Sequence, residues 1–472
     1  MKRQITFSLF VSLTCCVASA QVRSTENDIL GKRRFGQDWN TFLGPTGDSK
    51  SKETGLIVPW PKTGPKVVWQ KRLSESYGIG SVSHGRYYQF DFENGKAILT
   101  CLESETGKHI WDYSYDSSYQ DLYGYNSGPR CSPIVDGDRV YIYGVEGMLH
   151  CVHAVTGKKI WAVDVSKDFG VIQNFFGVGS NPVIYKDLIV VMVGGSPEED
   201  KLIPKGQLDR VSGNGSGIVA FDKLTGNVRY KFSDELASYA SLKLANQNGR
   251  DWCFAFARNS LIGFHPGSGK VDFQFPWRAR NLESVNASVP VVVDDQVFIS
   301  ETYGPGSALI RFRNRGHDVV WTDNPRSRKK SMQTHWNTAI HHEGFLYGSS
   351  GRHEYNAELR CIEMSTGKVQ WSEPGLTRAS LLYVDDHFIC LSEDGTLRLI
   401  RANPKKYDVV SEIVYRDLTL DVPSNLRPEA RDAFNRLLKP PAWAAPILSH
   451  GLLYVRGRDR VLCLEVIKSP KN

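Results

Sequence analysis

Arg130, Trp336, Arg378 and Trp443 stand two or three residues ahead of related strand starts in four separate segments of the chain. Two guanidinium groups and two indoles brought to one place would grip a planar anionic ligand, by charge-assisted hydrogen bonds to its acidic groups and stacking on its ring. Ser132, Asn181, His335 and Asn337 lie beside the same starts and would add polar contacts. The same side chains also have a structural use, filling an axial opening and pairing with main-chain carbonyls, so both readings stand. His341-His342 occupies the turn that Asp136-Gly137 fills in another segment, which favours a turn over a pair of metal ligands, and no metal site is expected. Gly351-Arg352-His353-Glu354 lies between two strands where several other segments have tighter turns, and reads as a structural loop first and a partner or ligand loop second. No nucleophile-elbow serine, Walker loop, zinc-protease helix or Cys-x-x-Cys-His sequence occurs.

The elements that must position these residues repeat. Thr106-Gly107-Lys108-His109-Ile110-Trp111 returns as Thr156 to Trp161 and Thr366 to Trp371, with looser copies ending at Tyr230, Phe273 and Trp321 and a degenerate one near Asp408 to Val410. A period of roughly 40 to 50 residues, with short Val-, Ile-, Tyr- and Phe-rich strands joined by Gly-containing turns, is the pattern of a propeller blade. Seven blades end at these copies. The stretch from Ala445 to Val466 supplies inner strands of one more, while Pro65-Lys66-Val67-Val68-Trp69 has a blade ending with no blade before it. The expected fold is therefore all-β, an eight-bladed β-propeller of four-stranded antiparallel blades, closed by N- and C-terminal strands that share one blade. A seven-bladed ring would require the segment Tyr239 to Phe273 to be an insertion.

The domain reading is a leader over 1–20, an extension over 21–64 and the propeller over 65–468. Within it, 195–216 is a polar, Gly-rich insertion, and 424–438 carries Leu426, Ala430, Phe434 and Leu437 at the spacing of a short amphipathic helix between blades seven and eight. Lys2 and Arg3, an apolar run from Ile5 to Val17 and Ala18-Ser19-Ala20 match an export signal cleaved near Ala20, which implies a periplasmic or extracellular protein. No other stretch approaches the roughly 20 apolar residues that span a bilayer. Losing Lys2 and Arg3 lowers the net charge from +7 to +5. That is weak support for an anionic partner, and the basic run Arg326 to Lys330 reads as a solvated loop. No nucleic-acid module is present, and a monomer is expected. Cys101, Cys151, Cys361 and Cys463 share one repeat position that Ala220 and Gly263 fill elsewhere. A position that takes Cys, Ala or Gly is a small core site, so these thiols are expected to be buried and unpaired.

The Thr106 to Trp111, Thr156 to Trp161 and Thr366 to Trp371 repeats, with Asp38 to Pro45, Trp60-Pro61 and Gly64 to Trp69, resemble the pyrroloquinoline-quinone-type propeller repeat of exported bacterial proteins, many from planctomycetes. The resemblance covers roughly 38 to 466 and implies that each Trp docks on the next blade. The same fold serves quinoprotein dehydrogenases and the outer-membrane assembly factor BamB, so fold alone does not fix function. The dehydrogenases of this class usually hold their quinone with a vicinal disulfide, a Trp, a calcium ion and an Asp base. The only adjacent cysteines here, Cys15-Cys16, fall in the leader. The first functional expectation is a non-catalytic exported scaffold for a protein or a small anionic or planar partner, with no cofactor. The second is an alcohol or sugar dehydrogenase holding pyrroloquinoline quinone and calcium in the funnel.

Overall fold

The computed structural model describes residues 30–469, so the leader, Cys15 and Cys16 lie outside the described residues. The described chain folds into eight four-stranded antiparallel sheets arranged as successive blades. In chain order the first seven span 81–116, 134–164, 183–232, 243–276, 291–322, 340–374 and 379–413. The eighth takes Ile447–Ser449, Leu452–Arg456 and Arg460–Glu465, and its fourth strand is Lys66–Arg72 from the other end of the chain. Trp69 pairs with Cys463 in that seam. The segment ending at Phe273 forms a complete blade, so the ring has eight blades and not seven.

Burial follows the position of each strand in its blade. Middle strands such as Leu188–Met192 and Ser260–Phe264 are buried throughout because blades cover both of their faces. Outer strands such as His109–Asp116 alternate between exposed and half-buried residues. The core is correspondingly a series of interblade layers. One joins Tyr88, Leu99 and Cys101 of the first blade to Val140 and Val152 of the second, and another joins Tyr347 and Cys361 of the sixth to Phe388 and Cys390 of the seventh.

The repeated Trp holds blade to blade. The indole N–H of Trp111 donates to the Ala154 carbonyl at 3.2 Å, Trp321 to Met364 at 2.9 Å and Trp371 to Asn403 at 2.9 Å. Across the seam Trp69 donates to Ser104 at 2.8 Å. The Gly of the Thr-Gly-Lys turn makes room for this contact. A Cβ on Gly107 would sit 2.9 Å from Trp69, and one on Gly157 would sit 2.7 Å from Trp111, while both glycines have a φ of 70°. A side chain there is thus opposed twice, by the neighbouring indole and by the left-handed backbone. All seven described cysteines are free and buried. Cys101, Cys151, Cys361 and Cys463 each pair with a blade-ending Trp, and Ala220 and Gly263 pair with Tyr230 and Phe273. A large side chain on the outer strand explains the small one opposite.

Before the ring begins, the segment 37–51 runs across its axis. Trp39 exchanges backbone hydrogen bonds with Val82 at 2.9 Å, and the Asn40 carbonyl accepts from Val135 N–H at 2.8 Å. The Lys243 ammonium donates to the Thr46 and Gly47 carbonyls at 2.6 and 2.8 Å. Tyr383 N–H donates to the Ser49 carbonyl at 2.9 Å, and Ser449 Oγ donates to the Gln37 carbonyl at 2.8 Å. This strap ties together inner strands of five blades, which no repeat pattern announces.

In the third blade, the polar excursion contains 3-10 turns at Glu198–Leu202 and Leu208–Arg210. Its Asp209 binds Arg258 of the fourth blade and Arg278 just after that blade, at 2.8 and 2.6 Å. A helix forms over Pro428–Phe434, with Pro428 at its start, but it buries none of its side chains. Leu438, just beyond it, is the residue that enters the core.

Candidate functional site

The residues that precede the inner strands converge on the axis. They line a cavity of about 340 Å³ together with Phe42, Leu43 and Ser49 of the strap. Its wall is a chain of rings. Tyr77 and Trp443 have centroids 4.9 Å apart, Trp443 and Trp336 4.9 Å, and Trp336 and His335 4.8 Å. From Trp443 the chain continues to Tyr125 at 6.0 Å, then to Phe176 and Tyr239 at 5.6 Å each.

Seven of the eight residues singled out from sequence line this cavity: Arg130, Asn181, His335, Trp336, Asn337, Arg378 and Trp443. Ser132 does not belong to its wall; it is buried behind it. The two amides are engaged structurally. Asn181 Oδ1 accepts from Ser132 N–H at 2.7 Å and its Nδ2 donates to Ser241 Oγ at 2.9 Å, while Asn337 Nδ2 donates to the Ser349 carbonyl at 2.9 Å. Asn181 joins the strand starts of neighbouring blades, and Asn337 ties its own strand start to the next strand of the sixth blade.

Both guanidinium groups are neutralised by carboxylates of the protein. Arg130 pairs with buried Asp121 at 3.0 Å and lies 5.1 Å over the Tyr77 ring. Arg378 makes a two-point pair with Glu393, Nε to Oε2 at 2.6 Å and a second nitrogen to Oε1, and lies 4.2 Å over Trp336 and 5.6 Å over Trp443. The charge of Arg130 thus supports the Tyr77 and Tyr119 rings, and that of Arg378 the two indoles.

Arg352 is different, and the sequence places it in a loop that reads as structural first and as a partner or ligand loop second. It lines the cavity with His353, its guanidinium sits 4.5 Å over the Tyr303 ring, and no carboxylate pairs with it among the described residues. The loop is held in place by the Arg352 carbonyl, which accepts from Arg378 at 2.9 Å. The unusual loop between tight-turned strands was the sequence signal for it. Tyr77 stands the same distance ahead of its inner strand as Arg130, Trp336 and Trp443, so the same spacing reaches it, whereas Tyr125 and Tyr303 lie on connections between strands and had no such signal.

His335 shares its Nε2 with the Tyr303 hydroxyl at 3.1 Å, whereas its Nδ1 is buried without a partner. Burial, and then the charges of Arg378, Arg352 and His353, push its pKa down to about 3, so the ring is neutral near pH 7. The Trp443 indole N–H is likewise buried without an acceptor.

The residues of the funnel do not fit a calcium-bound quinone. No Asp or Glu lines the cavity, and Asp121 and Glu393 behind it are committed to arginines. Among the described residues no three His, Cys, Asp or Glu side chains gather to hold a metal ion, and none of the cysteines there is adjacent to another. His341 sits in a hairpin, its Nε2 accepting from Gly344 N–H at 3.1 Å.

A family model described as outer membrane protein assembly factor BamB matches residues 95–373, more than half of the sequence. The chain belongs to this family. BamB of Moraxella catarrhalis superposes with a TM-score of 0.51 at 12% identity, over 85% of this chain and 99% of that one. A quinohemoprotein alcohol dehydrogenase from Comamonas testosteroni gives 0.60 at 12% identity, over 92% and 82% of the two chains. A europium-containing methanol dehydrogenase gives 0.63 at 11% identity, over 91% of each. At such identities these likenesses establish the BamB-type propeller fold and nothing of its chemistry. No protein of curated function matches the sequence.

Proposed function

We propose that this member of the BamB family is a non-catalytic, exported scaffold that receives its partner in the aromatic funnel. The observation that carries the reading is the composition of the funnel wall: rings throughout, two arginines already neutralised, and no carboxylate to act as a base or to ligate a metal. The surface around the mouth supports it as well, since Leu122, Tyr123, Tyr125 and Tyr355 are exposed there, with Tyr123 against Phe176 and Tyr355 stacked on His353. Export rests on the leader read from the sequence. Among the described residues no helix is long and apolar enough to cross a membrane.

The competing dehydrogenase reading supplies the test. Purified protein is given pyrroloquinoline quinone and calcium, then an alcohol or a sugar with a redox dye. No stoichiometric quinone spectrum and no dye reduction are expected at micromolar cofactor. Quinone retained through gel filtration, with substrate-dependent dye reduction, would overturn the non-catalytic reading.

A further inference from the structure

Within the funnel the charges do not cancel. Three guanidinium groups line it; Arg130 and Arg378 have their own carboxylates, and Arg352 has none among the described residues. His335 adds no charge near pH 7 because its pKa is held near 3. The wall therefore presents one uncompensated positive charge, half-buried against Tyr303 where water screens it less than at an open surface. Two further groups are unsatisfied, the Trp443 indole N–H and His335 Nδ1, both buried without partners. A buried polar group left unpaired is costly, and a ligand that supplies its partner recovers that cost.

We propose that the funnel binds a small aromatic monocarboxylate, with Arg352 as the residue that holds the carboxylate. The inference rests on the reading of the funnel as the binding site. A carboxylate matches the planar fork of one guanidinium with two parallel hydrogen bonds, and it brings the single negative charge that Arg352 lacks. The ring of the ligand finds Tyr77, Trp336, Trp443 and Phe42 in the wall around it. About 340 Å³ lies near the lower end of ligand pockets and suits a molecule of one or two fused rings. A tricarboxylate such as the quinone that the fold suggests would bring two charges that face no free cation. Arg352 is carried on the loop anchored by Arg378, so it is positioned before a ligand arrives.

The test uses 2-naphthoate on the full chain near neutral pH, followed by calorimetry and by quenching of tryptophan fluorescence. 2-Naphthalenemethanol serves as the uncharged counterpart and benzene-1,3,5-tricarboxylate as the polyanion. Saturable binding of 2-naphthoate is expected, at least about tenfold tighter than either comparator, since a charge-assisted bidentate contact contributes more than a neutral one. Arg352→Gln should weaken the naphthoate by about tenfold or more and leave the alcohol unchanged, and Arg352→Lys should restore part of the loss. Arg328→Gln, at an exposed loop elsewhere, should change nothing. Circular dichroism and the melting temperature of each variant establish that it folds; should Arg352→Gln misfold, Arg352→Met, which also removes the charge, takes its place in the comparison of acid and alcohol. Equal binding of acid and alcohol, undiminished binding by folded Arg352→Gln, tighter binding of the tricarboxylate, or no saturable binding of 2-naphthoate would each overturn the proposal. These outcomes leave the non-catalytic reading intact, because only quinone uptake with dye reduction decides that.

Discussion

Arg378 illustrates how a residue chosen for one chemistry serves another. Its position and type suggested an anion-binding group, yet a carboxylate of the same blade meets it first, so its charge is used to hold the Trp336 and Trp443 indoles and the Arg352 loop. The Arg378 and Glu393 side chains are 14% and 8% exposed, and removing one partner from a pair this buried leaves the other charge without compensation. Glu393→Gln should therefore lower the unfolding free energy by about 3 kcal/mol in urea denaturation. An unchanged midpoint and slope would mean that the pair is not a support of the funnel wall.

At the scale of the element, the Thr-Gly-Lys turn and the preceding Trp form a single device repeated around the ring. The seam uses it too: Trp69, on a strand borrowed from the N-terminal side, rests against Gly107 of the first blade. Gly107→Val should cost at least about 2 kcal/mol, since a left-handed backbone alone costs an L residue about 1 to 2 kcal/mol and the Cβ also meets the indole. The loss is expected in thermal unfolding, with Trp69 becoming more accessible to a fluorescence quencher. Gly137→Val is the control: its φ of 60° is similar, but nothing lies within 4 Å of its Cβ. Equal losses in the two variants would show that backbone strain, and not docking, is what the turn glycine relieves.

For the whole molecule, the buried histidines and the pair of Asp38 with His450 make stability depend on pH in opposite directions. His335, His150 and His341 are held at about 3, 4 and 4, chiefly by burial. As pH falls below the ordinary histidine value near 6.5, the unfolded chain takes up protons that the folded one refuses, and stability declines. His450 does the opposite. Its pKa is raised, first by its hydrogen bond to Asp38 at 2.9 Å, where the strap meets the eighth blade, and Glu53 adds to the same effect. A raised histidine contributes fully below about 6.5 and loses its contribution as pH rises through the folded value. Asp38 itself is lowered by its bonds to His450 and Ser83 against the cost of burial, and its contribution disappears only in acid. The histidines by themselves therefore contribute most near pH 6 to 7, while Glu301, raised to about 7 by burial, loses its contribution as pH rises from the ordinary carboxylate value toward 7. In a series of melting temperatures, His450→Gln should remove part of the decline above neutrality and leave the decline toward acid; an unaltered alkaline limb would exclude the Asp38 pair as its source.

The repeat by itself determined the eight blades, the sharing of the last one by both ends of the chain, and the small side chains opposite each outer Trp. These are consequences of local sequence, because strand, turn and docking partner recur within one period. It also brought Arg130, Trp336, Arg378 and Trp443 to the axis, since residues at equivalent positions of a ring must converge. What it left open was the state of each side chain there. That Asp121 and Glu393 neutralise two arginines, that Ser132 lies outside the wall, that Arg352 enters it from a loop and that the strap contributes to it all depend on how segments outside the repeat pattern pack together. Only tertiary structure decides such contacts, because the charge that a site offers is the sum over its neighbours and not a property of any one residue.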